Sequence, residues 1–164
     1  MAILIRDAVE DDLPAILAIH NHHIEKSFAI WRYETESLAD RAKWFRDRRE
    51  SGHPVTVATA GDALLGYGSY GPFRAGAGYR RTVENSIYVR EDAQRRGVAR
   101  ALMEDLFARA RAQKRHVMVA GIGLPNDASV ALHAALGFVD CGIIREIGWK
   151  FDRWLDLRMM QKFL

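Results

Sequence analysis

The sequence predicts an α/β (α+β) fold, with a mixed central sheet of about seven strands flanked by about four helices. Three observations lead there. Strand-like and helix-like segments follow one another in the order β, α, α, β, β, β, α, β, α, β, β. Two early strands, Val55 to Ala58 and Leu64 to Tyr70, are joined by a short turn at Gly61-Asp62, which makes them antiparallel neighbours. One strand instead runs through a glycine-bearing loop into a long amphipathic helix, which leads to a parallel neighbour.

Each element has a local cause. Ile3-Leu4-Ile5 reads as a first strand. Asp11 or Asp12 caps a helix with Pro14 in its first turn; Leu13, Ile16, Leu17, His20 and Ile24 form its apolar stripe. That helix ends near Lys26-Ser27, and Phe28-Ala29-Ile30-Trp31 is an apolar connection. Ser37 caps a second helix running to about Ser51, with Ala42 and Phe45 inward and Gly52 as its stop. Val55 to Ala58 and Leu64 to Tyr70 pair as a hairpin across Gly61-Asp62. Gly71 to Arg81 holds three glycines, a proline and three arginines, so it is a loop. It is the longest irregular stretch, and such loops are usually functional.

Thr82 to Val89 is the next strand. The loop Gln94-Arg95-Arg96-Gly97-Val98-Ala99 follows, and its helix runs from about Val98 to Lys114, with Val98, Leu102, Leu106 and Ala110 on the buried face. Val117 to Ala120 is a nearly all-apolar, central strand. Pro125-Asn126-Asp127 starts a short helix that Gly137 ends. Phe138-Val139 opens a strand, and Trp154 to Met160 is the last.

Composition bounds the function. The 164 residues suit a single domain, 1–164, with 49 % apolar and 27 % charged residues. A net charge of +3 with scattered arginines argues against a nucleic-acid binder. No apolar run reaches membrane-spanning length, and Met1 to Arg6 is too short for a signal core. The single cysteine, Cys141, forms no internal disulfide, which favours a cytoplasmic setting. Cys141 has no base arranged beside it, and His20-Asn21-His22-His23 does not put its histidines on one helix face. Neither a thiol nucleophile nor a metal site is expected.

The chemistry is expected at the strand–loop–helix unit. The first N–H groups of a helix lack internal partners and, with the helix dipole, receive anions. Gly97 permits φ > 0 and close backbone approach, and Arg95, Arg96 and Arg100 add charge. This loop carries neither Gly-x-x-x-x-Gly-Lys-Ser/Thr nor Gly-x-Gly-x-x-Gly, so neither a P-loop nor a Rossmann site is expected. What stands is Gln-x-x-Gly-x-Ala. It resembles the acetyl-CoA pyrophosphate loop of the GNAT N-acetyltransferase superfamily. Leu124 to Phe138 looks like the second GNAT signature, an asparagine opening a helix that ends in Leu-Gly-Phe. At 100° per residue, Asn126, Ser129 and His133 fall within about 60° of one helix face.

Further stretches resemble the phosphinothricin and methionine sulfoximine N-acetyltransferase group. They are Ala29-Ile30-Trp31, Gly66 to Gly71, Thr82-Val83-Glu84, Ser86 to Val89, Gly123 to Asp127, and Lys150-Phe151 with Arg153 to Asp156. Together they span nearly the whole chain. The resemblance implies a GNAT fold, acetyl-CoA as co-substrate, no metal, a small amino-acid-like amine as substrate, and a homodimer. It implies cofactor contacts at Ile87, Tyr88, Val89, Arg95, Arg96, Gly97, Val98, Ala99, Arg100, Asn126 and Ser129. Substrate contacts fall to Trp31, Phe73, Arg74, Ala75, Gly76 and Arg80, with Glu84, Asn85 and Ser86 on the strand.

An α-amine has a pKa of about 8, so a base must take its proton. Glu84 is one candidate; alternatively it only pairs with Arg80 or Arg81. Strand alternation puts Glu84, Ser86 and Tyr88 on one face and Val83, Asn85, Ile87 and Val89 on the other. His133, where the superfamily commonly has tyrosine, is the second candidate, as base or as acid to the thiolate. Its alternative is a helix histidine satisfied by a carbonyl. The resemblance implies that Glu84 and His133 work together, in an order the sequence leaves open. A backbone N–H between Ile87 and Val89 is expected to hold the thioester oxygen. Arg74 or Arg80 is expected to grip a substrate carboxylate. A peptide N-terminal acetyltransferase and a non-catalytic acyl-CoA sensor are the alternative functions.

Overall fold

A computed structural model describes residues 2–164. Met1, part of the N-terminal stretch read above, lies outside the described residues. The strands are β1 (Leu4–Asp7), β2 (Val55–Ala60), β3 (Ala63–Pro72), β4 (Thr82–Val89), β5 (Val117–Gly123), β6 (Val139–Lys150) and β7 (Arg153–Phe163). The helices are α1 (Leu13–Lys26), α2 (Leu38–Glu50), α3 (Val98–Ala112) and α4 (Asp127–Ala135). All seven strands form one sheet in the order β1-β2-β3-β4-β5-β7-β6. Every neighbouring pair is antiparallel except β4 and β5, which are the strands joined through α3. The element order and the single parallel pair agree with the sequence expectation.

Two apolar layers sandwich the sheet. On one face Leu13, Ile16 and Ile19 of α1 and Phe45 of α2 pack on Val55, Val57 and Tyr67. On the other, Met103, Leu106 and Phe107 of α3 pack on Val83, Met118, Ala120 and Ile122, with Val130 and Leu136 around α4 joining them. Strand alternation decides which face each residue of β4 serves.

Local caps differ in how well the sequence announced them. Ser37 caps α2 as expected. Its Oγ accepts from the Asp40 N–H at 3.1 Å, and the Asp40 carboxylate accepts from the Ser37 N–H at 3.0 Å. Asp12 stands at the start of α1 but makes no side-chain cap. Its carboxylate is held by Arg6 at 2.7 Å and the Val9 N–H at 2.8 Å, because a charged partner outcompetes a helix amide. The α1 stripe also shifts: Ile19 is buried, while Leu17 is only half-buried. The segment after β3 includes a short 3-10 turn, Ala77–Tyr79, inside the expected loop.

Lys150 is the least expected core residue. It is 1 % exposed. Its Nζ donates to the carbonyls of Ser27 at 2.7 Å and Ile30 at 2.5 Å, and it lies over the Phe151 ring. It therefore ties the β6–β7 hairpin to the end of α1. Lys150→Met should leave those buried carbonyls without a donor. We expect a loss of about 2–4 kcal/mol, read as a fall in Tm of roughly 5–10 °C by calorimetry. An unchanged Tm would show that water satisfies the carbonyls instead.

Candidate active site

The site opens where β4 and β5 part. The two strands pair only over Thr82–Glu84 with Val117–Val119, while β5 continues along β7 to Gly123. Beyond Glu84, the β5-facing edge of β4 is left unpaired. Which groups lie on that edge follows from the β3 ladder. Arg90 N–H bonds Leu65 O, and Phe73 N–H bonds Thr82 O. Antiparallel pairs alternate, so Ser86 and Tyr88 also point their backbone groups at β3. The N–H groups of Ile87 and Val89 therefore face the gap. The Val89 carbonyl on that edge meets His23 Nε2 at 3.1 Å.

A cavity of about 580 Å³ occupies the gap. One end is the start of α3. The first intrahelical bond there is Ala101 N–H to Gly97 O at 3.0 Å, so the N–H groups of Val98, Ala99 and Arg100 have no partner within the helix. No side chain caps them. Gly97 has φ +84° and Arg95 φ +60°. Two left-handed residues in four curl the loop into an anion-receiving concavity. The donors, the dipole and the absence of a Cβ at Gly97 all fit a pyrophosphate. Arg96 does not line the cavity, whereas Arg95, Gly97, Val98, Ala99 and Arg100 do.

The cavity's α4 wall carries the expected stripe. Asn126 caps α4 through the Ser129 N–H at 3.2 Å. His133 is 4 % exposed, with Phe138 edge-on against its ring. Its Nδ1 lies 2.8 Å from Ser129 O, so in the neutral ring Nδ1 carries the hydrogen. Nε2 faces Asn85 Oδ1 at 3.3 Å, and Asn85 Nδ2 donates to Val119 O at 3.1 Å. Burial lowers the His133 pKa, and the Ser129 carbonyl partly offsets that.

Glu84 enters from the opposite face of β4. It is half-buried, and burial raises its pKa, while the charges of Arg74 and then Arg48 pull it down. It pairs with neither Arg80 nor Arg81. Glu84 and His133 both line the cavity but do not touch; Asn85 stands on the His133 side. A direct Glu84–His133 relay is thus not formed, because successive residues of a strand point to opposite faces. For the same reason Asn85 lies on the His133 side of the strand, whereas Ser86 shares a face with Glu84, beside Tyr88.

The expected substrate residues are only partly gathered. Trp31, Phe73, Arg74, Ala75, Gly76 and Arg80 do not line the cavity. Arg74 is near enough to act on Glu84 and lies over the Phe73 ring. Arg80 is exposed and turned back, with Nη1 on Ala77 O at 3.2 Å. Trp31 is wedged behind the cavity floor. A Cβ on Gly123 would lie 2.7 Å from its Nε1, and one on Gly148 would lie 2.3 Å from its ring. The histidine run is dispersed too: His20 Nδ1 meets Tyr67 OH at 2.8 Å, and His23 meets Val89. Among the described residues, no three His, Cys, Asp or Glu side chains converge on a point.

A split sheet above an uncapped helix, with a carboxylate on one side and a histidine on the other, defines an acyl-transferring enzyme. The chain belongs to the acetyltransferase (GNAT) family, which it matches over residues 16–138, and it is an N-acetyltransferase. It is 48 % identical over 162 residues to an L-methionine sulfoximine/L-methionine sulfone acetyltransferase of Pseudomonas aeruginosa, covering 98 % of this chain and 94 % of that one. A crystal structure of a ribosomal-protein-alanine N-acetyltransferase from Brucella melitensis superposes with a TM-score of 0.96 at 46 % identity, over 98 % of this chain and 99 % of that one. A phosphinothricin acetyltransferase from Sinorhizobium meliloti, solved in complex with acetyl-CoA, gives 0.97 at 36 %, over 100 % and 89 %.

Proposed function

We propose that the enzyme transfers acetyl from acetyl-CoA to the α-amine of a small amino-acid-like substrate, of the methionine sulfoximine, methionine sulfone or phosphinothricin type. The amine attacks the thioester directly in a ternary complex. The observation that carries this reading is the gap between β4 and β5. It joins the uncapped start of α3, the free Ile87 and Val89 N–H groups, Glu84 and His133 in one cavity.

The opposite faces divide the proton work. Glu84 takes the ammonium proton, and the free amine attacks the carbonyl carbon. The C–N bond forms, and the N–H groups of Ile87 and Val89 hold the oxygen that becomes negative. The nitrogen's second proton passes to His133 Nε2, whose charged form Asn85 Oδ1 accepts. The C–S bond breaks, and His133 returns that proton to the sulfur. The products are the amide and CoA thiol, with one proton left on Glu84 for release to water.

Turnover assays with acetyl-CoA and an amine panel test the reading. Methionine sulfone and phosphinothricin should be acetylated, and their decarboxylated amines at least about 10-fold less efficiently, since a charge-assisted bond is worth roughly 1.5–3 kcal/mol. A second reading, acetylation of a protein N-terminus, is favoured by the Brucella relative. It would be preferred if an alanine-headed peptide outpaced every free amino acid. In either case Gly97→Val should weaken acetyl-CoA binding at least about 10-fold. It places a branched side chain at φ +84° and in the path of the pyrophosphate. Unchanged affinity by calorimetry would move the cofactor elsewhere.

We also assign the enzyme to the cytoplasm, on its single unpaired cysteine, Cys141. A homodimer is supported by β6, a sheet-edge strand with Val139 56 %, Ile144 44 % and Ile147 51 % exposed. Sedimentation should give twice the mass of one chain.

A further inference from the structure

The face of the sheet that carries Glu84 has a floor made of glycines. Gly71, Gly121, Gly123 and Gly148 stand on β3, β5, β5 and β6. Each leaves room for one large group. Gly123 and Gly148 admit Trp31, and a Cβ on Gly121 would lie 3.0 Å from Glu84 Oε1. Gly71 admits Arg48 of α2: a Cβ there would lie 1.6 Å from its Nη1 and 2.6 Å from its Cζ. Gly71 is the register partner of Glu84, so Arg48 lies flat on β3 directly beside that carboxylate.

Arg48 is in an unusual state for a guanidinium. Its Nε is enclosed and has no hydrogen-bond partner. It acts on Glu84 through charge alone, without a hydrogen bond. Arg41, on the same inward stripe of α2, shows the contrast. Arg41 is 2 % exposed but is paired with Glu36 and stacked on Trp44 at 4.5 Å. Glu36 is already shared with Arg32, so it is not available to Arg48. A guanidinium cannot escape burial by losing its proton. A half-buried guanidinium with an enclosed, unpartnered Nε and only the Trp44 ring, 5.9 Å away, beside it is costly and needs a reason.

Charge counting supplies the reason. Glu84 offers one negative charge, and Arg74 and Arg48 offer two positive charges around it. A zwitterionic amino acid answers Glu84 with its ammonium and Arg74 with its carboxylate. Arg48 is then left without an anion or oxygen acceptor. An aliphatic side chain offers none, but a tetrahedral oxo group on sulfur or phosphorus does, and a planar fork takes two such oxygens. We propose that Arg48 is a specificity-determining substrate contact that receives the side-chain oxygens of an amino acid bearing oxidised sulfur or phosphorus. The proposal rests on the reading of this cavity as an amino-acid acetylation site.

L-Methionine sulfone and L-norleucine test it, because they share the α-amino acid and differ in the oxo group. In the Arg48→Gln enzyme, KM for the sulfone should rise about 10- to 100-fold. KM for norleucine and acetyl-CoA affinity should change less than about threefold, so the wild-type preference collapses. Arg48→Lys, which keeps the charge and stem but loses the fork, should fall between the two and serves if the glutamine variant does not fold. Equal losses on both amines would overturn the proposal, since Arg48 would then hold the shared carboxylate or merely the fold. Unchanged KM for both would overturn it as well. A wild-type enzyme that acetylates both without preferring the sulfone would overturn it while the amino-acid reading stood. A wild type that binds acetyl-CoA but acetylates neither would overturn both.

Discussion

Glu84→Gln should lower kcat by roughly 10²-fold or more while leaving acetyl-CoA affinity within about twofold. The substitution keeps the shape of the side chain and removes its basicity. Shape matters here, because Glu84 Oε1 is packed close over Gly121. The pyrophosphate end of the cavity is built by the loop and α3, with no contribution from Glu84, so binding should persist. The pH profile gives an independent check. Burial raises the Glu84 pKa above its ordinary 4.5, against the pull of Arg74 and Arg48. A base works when deprotonated, so kcat/KM should fall as pH drops through the raised value. That acid limb should start above the ordinary carboxylate range and should vanish in the glutamine variant. If the variant keeps both its rate and its acid limb, the base is water or the substrate itself.

The parts of the site that sit on one element were legible in the sequence. Asn126, Ser129 and His133 follow from helix period alone, and the two faces of Thr82 to Val89 follow from strand period alone. The gap at Ile87 and Val89 was legible only through the resemblance, since no side chain marks where a ladder stops. What could not be read is whatever depends on register between distant elements. Gly71, Gly121, Gly123 and Gly148 look locally like strand breakers. In the sheet they are floor positions that admit Arg48, Glu84 and Trp31. Arg48 itself lies in a run of arginines, Arg46, Arg48 and Arg49, that reads as a solvated helix end. Only the docking of α2 on β3 separates it from its neighbours. The orientation of Arg80 was equally hidden. A short 3-10 turn, too small to show in any periodicity, rotates it back onto Ala77. Lys150 also breaks the expectation for its residue type, because carbonyls at the end of α1 come to it from more than a hundred residues away.

His133→Phe should lower kcat by about 10- to 100-fold, and combining it with Glu84→Gln should cost little beyond the slower single variant. The ring is neutral at rest, because burial depresses its pKa. Its free nitrogen then faces an acceptor, Asn85 Oδ1, which becomes a favourable contact only once Nε2 is protonated. Asn85 cannot rotate its amide to help the neutral ring without giving up Val119 O. On the proposed mechanism, the pair receives a proton, holds it briefly and hands it on. A low-pKa imidazolium is also a stronger acid, which suits delivery to a departing thiolate. Asn85→Ala distinguishes this from a shared relay with Glu84. It should slow the wild-type enzyme by several-fold and leave the His133→Phe enzyme unchanged, because Asn85 acts only through that ring. Its effect on the Glu84→Gln enzyme should be masked, since removal of the first proton is then the slow step. Full multiplicative losses in the Glu84–His133 pair would mean that both residues act independently in one transition state. A single variant of His133 with unaltered kcat across the pH profile would leave the thiolate to take its proton from water.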